Sequence, residues 1–301
     1  CPADSGVPSF GIQLGKCLSD SAPQILGYRV WSVLRKLGNW EIMPWSERRP
    51  MSAQEVAALL ARASHDEAVA LIERYATDQR TQVQRAIGST KRRLAKEETE
   101  RRRVEGMYEL QRSLGGDGLV MGVDEVGRGA LAGPLTVCAV ILPQEPKIWG
   151  IDDSKRLSPA RRLELAKRIR EQACAIGTCH VEATSIDAVG MGVALRMAMA
   201  GAIEDAGVEP DCVLIDGRAV HAHPKERALV RGDSRIAAIA AASIVAKVTR
   251  DKMMVDYDVK YAGYHLASCK GYGSAEHIRA IQEHGLTPLH RTSFCKNFMD
   301  T

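Results

Sequence analysis

The sequence predicts an α/β protein: a mixed β-sheet flanked by helices, preceded by a helical segment. Three observations carry this. From Leu119 onward, short runs rich in Val, Ile and Leu alternate with helical patterns, the order that builds sheet-and-helix layers. Ser52-Ala-Gln-Glu55 and Ser64-His-Asp-Glu67 both match the capping box that opens a helix. Arg235–Tyr257 is a long stretch rich in Ala, fit to pack closely on a sheet.

Residues 1–50 hold three of the four Trp but no sustained periodicity. Two readings stay open for them: a small native element, or an extension ahead of a natural start at Met51. Residues 51–116 read as a helical segment. Its apolar positions recur at Val56, Leu59 and Leu60, then at Val69, Ile72 and Tyr75, one helical face each. Lys91–Arg103 carries seven basic and three acidic residues. It reads as a solvated helix with i,i+4 ion pairs or as a phosphate-contacting arm. Gly115, Gly116 and Gly118 then punctuate the chain and suggest a domain boundary.

Residues 117–301 form the third stretch. Leu119–Val123 and Leu135–Leu142 read as strands. Ser158-Pro159 opens a helix with apolar positions at Leu163, Leu165 and Ile169. Val181–Thr184 is expected as a strand and Val193–Ala206 as a helix ended by Gly207. Cys212–Ile215 reads as a buried strand, and Ser274–His284 as a helix closed by Gly285.

Composition narrows the function classes. With 301 residues, 45% hydrophobic and 26% charged, the chain is neither wholly disordered nor fibrous. The net charge of +4 permits a nucleic-acid partner without requiring one. No apolar run is long enough to span a membrane, and no secretory pattern opens the chain. Eight Cys form no CxxC pair, so neither a zinc module nor a disulfide framework is expected. Cys138 and Cys212 lie in apolar runs and read as buried thiols. A reducing cytoplasm is the natural compartment.

The chemistry concentrates in acids at strand ends. Asp124 and Glu125 sit where an apolar run meets Gly127-Arg128-Gly129, and Asp216 ends another run before Gly217. Lone carboxylates are costly to bury unless paired or metal-bound. The glycine turn lacks Rossmann spacing, since Gly127, Gly129 and Gly133 lead into Pro134 and a strand. It suits close backbone approach to a substrate, with Arg128 as a fork of donors. Ser243, Lys247 and Asp251 are spaced four apart along one helix face. Lys247 and Asp251 also suit a simple i,i+4 pair. Four carboxylates from separate elements, Asp124, Glu125, Asp216 and Asp251, suit divalent cations, and oxygen ligands favour Mg2+ or Mn2+. Two such ions can activate water and stabilise a leaving oxygen. His221-Ala-His223 is a weaker metal candidate, without flanking Cys or an HExxH context.

These blocks, in order, resemble the ribonuclease HII (type 2 ribonuclease H) family: GVDEVGRGALAGP at 122–134, DDSKRLS at 152–158, LIDG at 214–217, GDSRIAAIAAASIVAKVTRD at 232–251, KGYG at 270–273 and HGLTPLHRTSF at 284–294. The helices from Met51 resemble the extension that some bacterial members carry. The resemblance implies a ribonuclease H-like fold and a monomer acting on RNA–DNA hybrids and on ribonucleotide-containing duplex DNA. Asp124, Glu125, Asp216 and Asp251 would hold two Mg2+ or Mn2+ ions. Gly127, Arg128 and Gly129 would contact the ribose 2′-hydroxyl, and Tyr272 would stack on the next sugar. Ser154 and Lys155 match a phosphate-contacting segment, with Ser243 and Lys247 beside the site. Incision would fall 5′ of a ribonucleotide, leaving a 3′-hydroxyl and a 5′-phosphate. The competing readings are another acidic-tetrad metal nuclease and a non-catalytic hybrid-binding protein.

Overall fold

The computed structural model describes residues 50–298, so both readings of the leading stretch fall outside the described residues. The chain forms two compact units that divide between Lys96 and Glu97.

In the first unit, α1 (Ala53–Arg62) and α2 (His65–Arg74) are each opened by the expected capping box, at Ser52/Glu55 and Ser64/Glu67. Reciprocal side-chain bonds satisfy N–H groups that a helix start leaves unpaired. Both helices pack with the start of α3 (Thr81–Gly115) through Val56, Leu60, Ala68, Leu71, Val83 and Ile87. Val69 corrects the expected face of α2: it is exposed, and Ala68 and Leu71 take the inner positions. Arg93 donates to the Ala63 carbonyl at 2.9 Å, closing the end of α1. Some of the Lys91–Arg103 charge is therefore spent on structure. Further along α3, Arg102 pairs with Glu98 and Arg101 with Glu105, both at i,i+4.

The second unit is a five-stranded mixed sheet of order β3-β2-β1-β4-β5. The strands are β1 (Val120–Val126), β2 (Leu135–Ile141), β3 (Ala175–Val181), β4 (Cys212–Asp216) and β5 (Glu226–Leu229). β2 is buried along its whole length, the pattern of a strand covered on both faces. β1 runs antiparallel to β2 and parallel to β4. One face is covered by α4 (Pro159–Gln172) and α7 (Ala237–Lys260), whose Ala240, Ala241 and Ala242 pack with Cys138 and Val140. The other face is covered by α6 (Met191–Asp205), which follows the short α5 (Ala183–Val189). Cys138 and Cys212 are buried free thiols, as expected.

α7 lies unusually close to β1. A Cβ on Gly122 would overlap the main chain of α7 at Ala238 and Ile239. Here the small residues of α7 and the missing side chain of Gly122 fit each other.

A third cluster gathers around Leu131, Met254, Tyr264, Leu266 and Ile281, next to α8 (Leu266–Cys269), α9 (Ala275–His284) and α10 (Thr292–Cys295). Ser274 caps α9, and Gly285 ends it at φ +80°.

Three expectations need correction. The strand expected at Val181–Thr184 ends at Val181, and Ala183 already begins α5. Its sequence, AIGTCHV, mixes Gly, Thr and His with apolar residues because it is a half-buried edge strand. β5 was not foreseen, since Glu-Arg-Ala-Leu reads as polar loop and gains its strand form by pairing with β4. Leu163 is exposed, and α4 buries Leu165, Ala166 and Ile169 instead. Among the described residues, no helix is long and apolar enough to cross a membrane.

Candidate active site

The parallel pairing of β1 and β4 builds the site. Val123 stands opposite Ile215, so Asp124 and Asp216 follow at the same level, at the carboxyl ends of neighbouring strands. This is where open α/β sheets place their ligands. Residues alternate faces along a strand, so Asp124 shares the face of Gly122, toward α7. There its carboxylate accepts a hydrogen bond from Ser243. Ser243 and Ser154 are both buried, with their hydroxyls 3.0 Å apart. Either hydroxyl can be the donor in that pair. Both serines are buried beside Asp124.

The carboxylates repel. Burial pushes Asp124 well above the usual carboxylate range, and Glu125 and Asp216 push it further, against the Ser243 bond. Glu125 is raised by burial and by Asp216, with Arg128 opposing. The Arg128 guanidinium lies 3.6 Å from the Glu125 carboxylate and is otherwise exposed. Asp216 accepts a 2.6 Å bond from the Gly232 N–H. That contact brings in an acid the sequence reading missed. Asp233, in the 3-10 turn Gly232–Ser234, is buried, and its carboxyl is raised by burial and by Asp216 and Asp153, with Lys155 opposing. Gly-Asp-Ser between charged residues reads as an ordinary surface turn, which hid it.

Asp251 is placed differently. It pairs with Lys247 at 2.8 Å. It lies eight residues beyond Ser243 on α7, about 12 Å along a helix axis at 1.5 Å per residue. The i,i+4 reading of Lys247 and Asp251 is the arrangement found. His223 lies 3.8 Å from Glu209, and the His221 backbone N–H is held by Glu226.

The glycine turn and Tyr272 are adjacent. Gly127 adopts φ +86°, and a Cβ there would overlap the Arg250 guanidinium. Gly129 has open space where a Cβ would stand. The Gly271 carbonyl accepts from the Leu131 and Ala132 N–H groups at 2.8 and 3.1 Å, which ties the Tyr272 loop to the exit of the turn. Tyr272 is 38% exposed, so a face of its ring is open to a partner.

The donor set suits a hard divalent cation. It is all oxygen, and the mutual repulsion of Asp124, Glu125 and Asp216 is what such an ion relieves. Among the described residues, no three His, Cys, Asp or Glu side chains stand close enough to cage an ion as they lie.

Comparison with known proteins gives a consistent result. The family model described as Ribonuclease HII matches residues 121–297, and that of the Ribonuclease HII N-terminal domain matches residues 52–115. The chain is 43% identical over 229 residues to ribonuclease HII of Lachnoclostridium phytofermentans, covering 75% of this chain and 89% of that one. Among solved structures, ribonuclease H2 from Pyrococcus horikoshii OT3 superimposes with a TM-score of 0.52 at 23% identity, over 60% of this chain and 99% of that one. Bst ribonuclease HIII, in complex with Mn2+, superimposes with a TM-score of 0.51 at 18% identity, over 63% and 71%. At these identities the two structures speak for the fold alone.

Proposed function

Because the chain belongs to the ribonuclease HII family of hydrolytic endoribonucleases, we propose that it cleaves the RNA strand of RNA–DNA hybrids and incises 5′ of single ribonucleotides in duplex DNA. The products carry a 3′-hydroxyl and a 5′-phosphate. One observation carries this reading: parallel pairing sets Asp124 and Asp216 at matching positions of two neighbouring strand ends, with Glu125 next in the chain beside an exposed Arg128 and an open Gly129.

Asp124, Glu125 and Asp216 would hold Mg2+ or Mn2+, with Asp233 as the fourth acid in place of Asp251. Two such ions supply an activated water and stabilise the leaving oxygen of a phosphodiester. Ser243 orients the Asp124 carboxylate, and the Gly232 N–H orients that of Asp216. The open Gly129 lets the turn's main chain approach the ribose closely. The 2′-hydroxyl is the feature that separates RNA from DNA at one nucleotide. Arg128 is placed to meet a phosphate, and Tyr272 to stack on the following sugar. Lys155 is exposed beside Asp233 and suits a backbone phosphate. The helices of residues 51–116 add duplex affinity through the basic face of α3, and the enzyme works as a cytoplasmic monomer.

The test is a DNA duplex with one ribonucleotide, incubated with the full-length chain and Mg2+ or Mn2+, with the cut mapped to the nucleotide. Incision 5′ of the ribonucleotide supports the reading. Equal degradation of an all-DNA duplex would indicate another metal nuclease, and tight binding without turnover a pure binder.

A further inference from the structure

Two arginines, Arg250 and Arg291, are the largest wholly buried side chains in the described structure. Among the described residues, neither has a carboxylate within ion-pair distance. Their hydrogen bonds all go to main-chain carbonyls. Arg250 donates from Nε to Pro134 at 2.8 Å, from Nη2 to Ala132 at 3.0 Å and from Nη1 to Lys270 at 2.8 Å. Arg291 donates from Nη1 to Arg128 at 2.9 Å, and from Nε and Nη2 to Gly133 at 3.2 and 2.9 Å. Two buried guanidiniums repel, and apolar side chains would fill the same space at less electrostatic cost. What an apolar side chain lacks is the rigid fork of donors, which holds several carbonyls in a set geometry.

Those carbonyls come from two segments. Residues 128–134 are the glycine turn and its exit, and Lys270 opens the loop of Tyr272. Three successive carbonyls of that loop are held: Lys270 by Arg250, Gly271 by the Leu131 and Ala132 N–H groups, and Tyr272 by His277 Nδ1 at 2.9 Å. The Arg250 guanidinium also lies 5.6 Å from the centre of the Tyr272 ring. The guanidinium fills the room that the missing Cβ of Gly127 leaves, and the Met254 thioether fills that at Gly133.

We infer that Arg250, supported by Arg291, is a positioning residue that fixes the glycine turn and Tyr272 relative to each other, and so sets how strictly a ribonucleotide-to-deoxyribonucleotide step is read. The inference rests on the proposed function, in which the turn and Tyr272 both touch the substrate.

A double-mutant cycle tests it on the full-length chain. Arg250→Lys keeps the charge but loses the fork, and Tyr272→Ala removes the ring. The readout is kcat/KM on a duplex with a single ribonucleotide. Arg250→Lys is expected to lower it on the order of tenfold in the presence of Tyr272, and less than about twofold in the Tyr272→Ala background, the signature of two coupled residues. An equal loss in both backgrounds overturns the inference and leaves Arg250 a structural residue. If Arg250→Lys does not fold, judged by its melting curve, His277→Phe enters the same cycle, because it removes one of the two donors to the Tyr272 carbonyl and leaves the Ser274 N–H; additivity there overturns the inference as well. Wild-type protein that cleaves no ribonucleotide substrate refutes the proposed function itself, whereas active wild-type protein with an additive cycle refutes only this inference.

Discussion

Arg250 excludes a side chain at Gly127: the guanidinium occupies the place where a Cβ would stand. With φ at +86°, the position is strained for any other residue even before that overlap. Gly129, two residues on, faces open space. The two glycines therefore differ, one packed against the interior and one open, which in the proposed function leaves it to the substrate. Gly127→Ala is expected to destabilise the fold by about 2–4 kcal/mol, strain and overlap together. Gly129→Ala should leave the melting temperature nearly unchanged and slow ribonucleotide incision. Thermal melts with single-turnover assays separate the two, and equal melting shifts would refute the distinction.

Asp233 and Asp251 make opposite predictions. Asp233 is buried and acted on by Asp216, whereas Asp251 is paired with Lys247. Asp233→Asn and Asp124→Asn should each lower the Mg2+-supported rate by more than the roughly 10–100-fold typical of a residue behind a ligand. Asp251→Asn should cost less than about tenfold. A dead Asp251→Asn protein with a normal melting curve would restore Asp251 to the metal set. Chelation with EDTA should abolish turnover in every active variant.

Two buried histidines predict a pH dependence of stability. Thr287 donates from N–H and lies within hydrogen-bond distance through its hydroxyl at His290 Nδ1, so His290 carries its proton on Nε2. That proton bonds His277 Nε2 at 3.1 Å, and His277 Nδ1 donates to the Tyr272 carbonyl. Both rings are neutral in this chain of bonds. Burial, with His277 adding, pushes His290 from 6.5 down to about 4; burial lowers His277 too. The unfolded chain takes up the His290 proton near pH 6.5, before the folded chain does. Stability is therefore complete above pH 6.5, declines as pH falls toward 4, and loses no more from this residue below that. The full loss is at most about 3 kcal/mol. Urea melts from pH 7.5 to 4.5 should show the decline, and His290→Gln should flatten it. An unchanged slope in that variant would refute the assignment.

Ser154 and Ser243 predict a stability effect in place of a binding effect. Ser243→Ala strands the Ser154 hydroxyl and removes a donor from Asp124, at a cost of about 1–3 kcal/mol. The double Ser154→Ala, Ser243→Ala protein should be destabilised by less than the sum. KM for the duplex should stay within about twofold in Ser154→Ala. A large rise would show that Ser154 touches the substrate.

The sequence was most legible where chemistry interrupts a regular pattern. Asp124 and Asp216 stood out because each ends an apolar run before a glycine turn, and parallel pairing then set them side by side. The capping boxes at Ser52 and Ser64 were local signals and were found as read. Asp233 and Arg250 were hidden for the same reason: their surroundings are set by contacts between distant segments. Arg250 holds carbonyls 116 and 118 residues away. Glu226–Leu229 has no strand signal of its own and depends on β4 for its form. The regular spacing of Asp251 with Ser243 does not tell how far a helix carries a side chain in two turns, and Asp251 stands paired with Lys247.

At Gly122, β1 and α7 meet main chain to main chain. Elsewhere in a core, side chains between two elements act as a compliant layer, and rotamer changes absorb a mutation nearby. Here no such layer exists. The gap between the strand that bears Asp124 and the helix that bears Ser243 is fixed by the thickness of the backbone itself. Sequence drift in the surrounding core can alter the stability of this enzyme while the spacing of β1 and α7 at Gly122 stays the same.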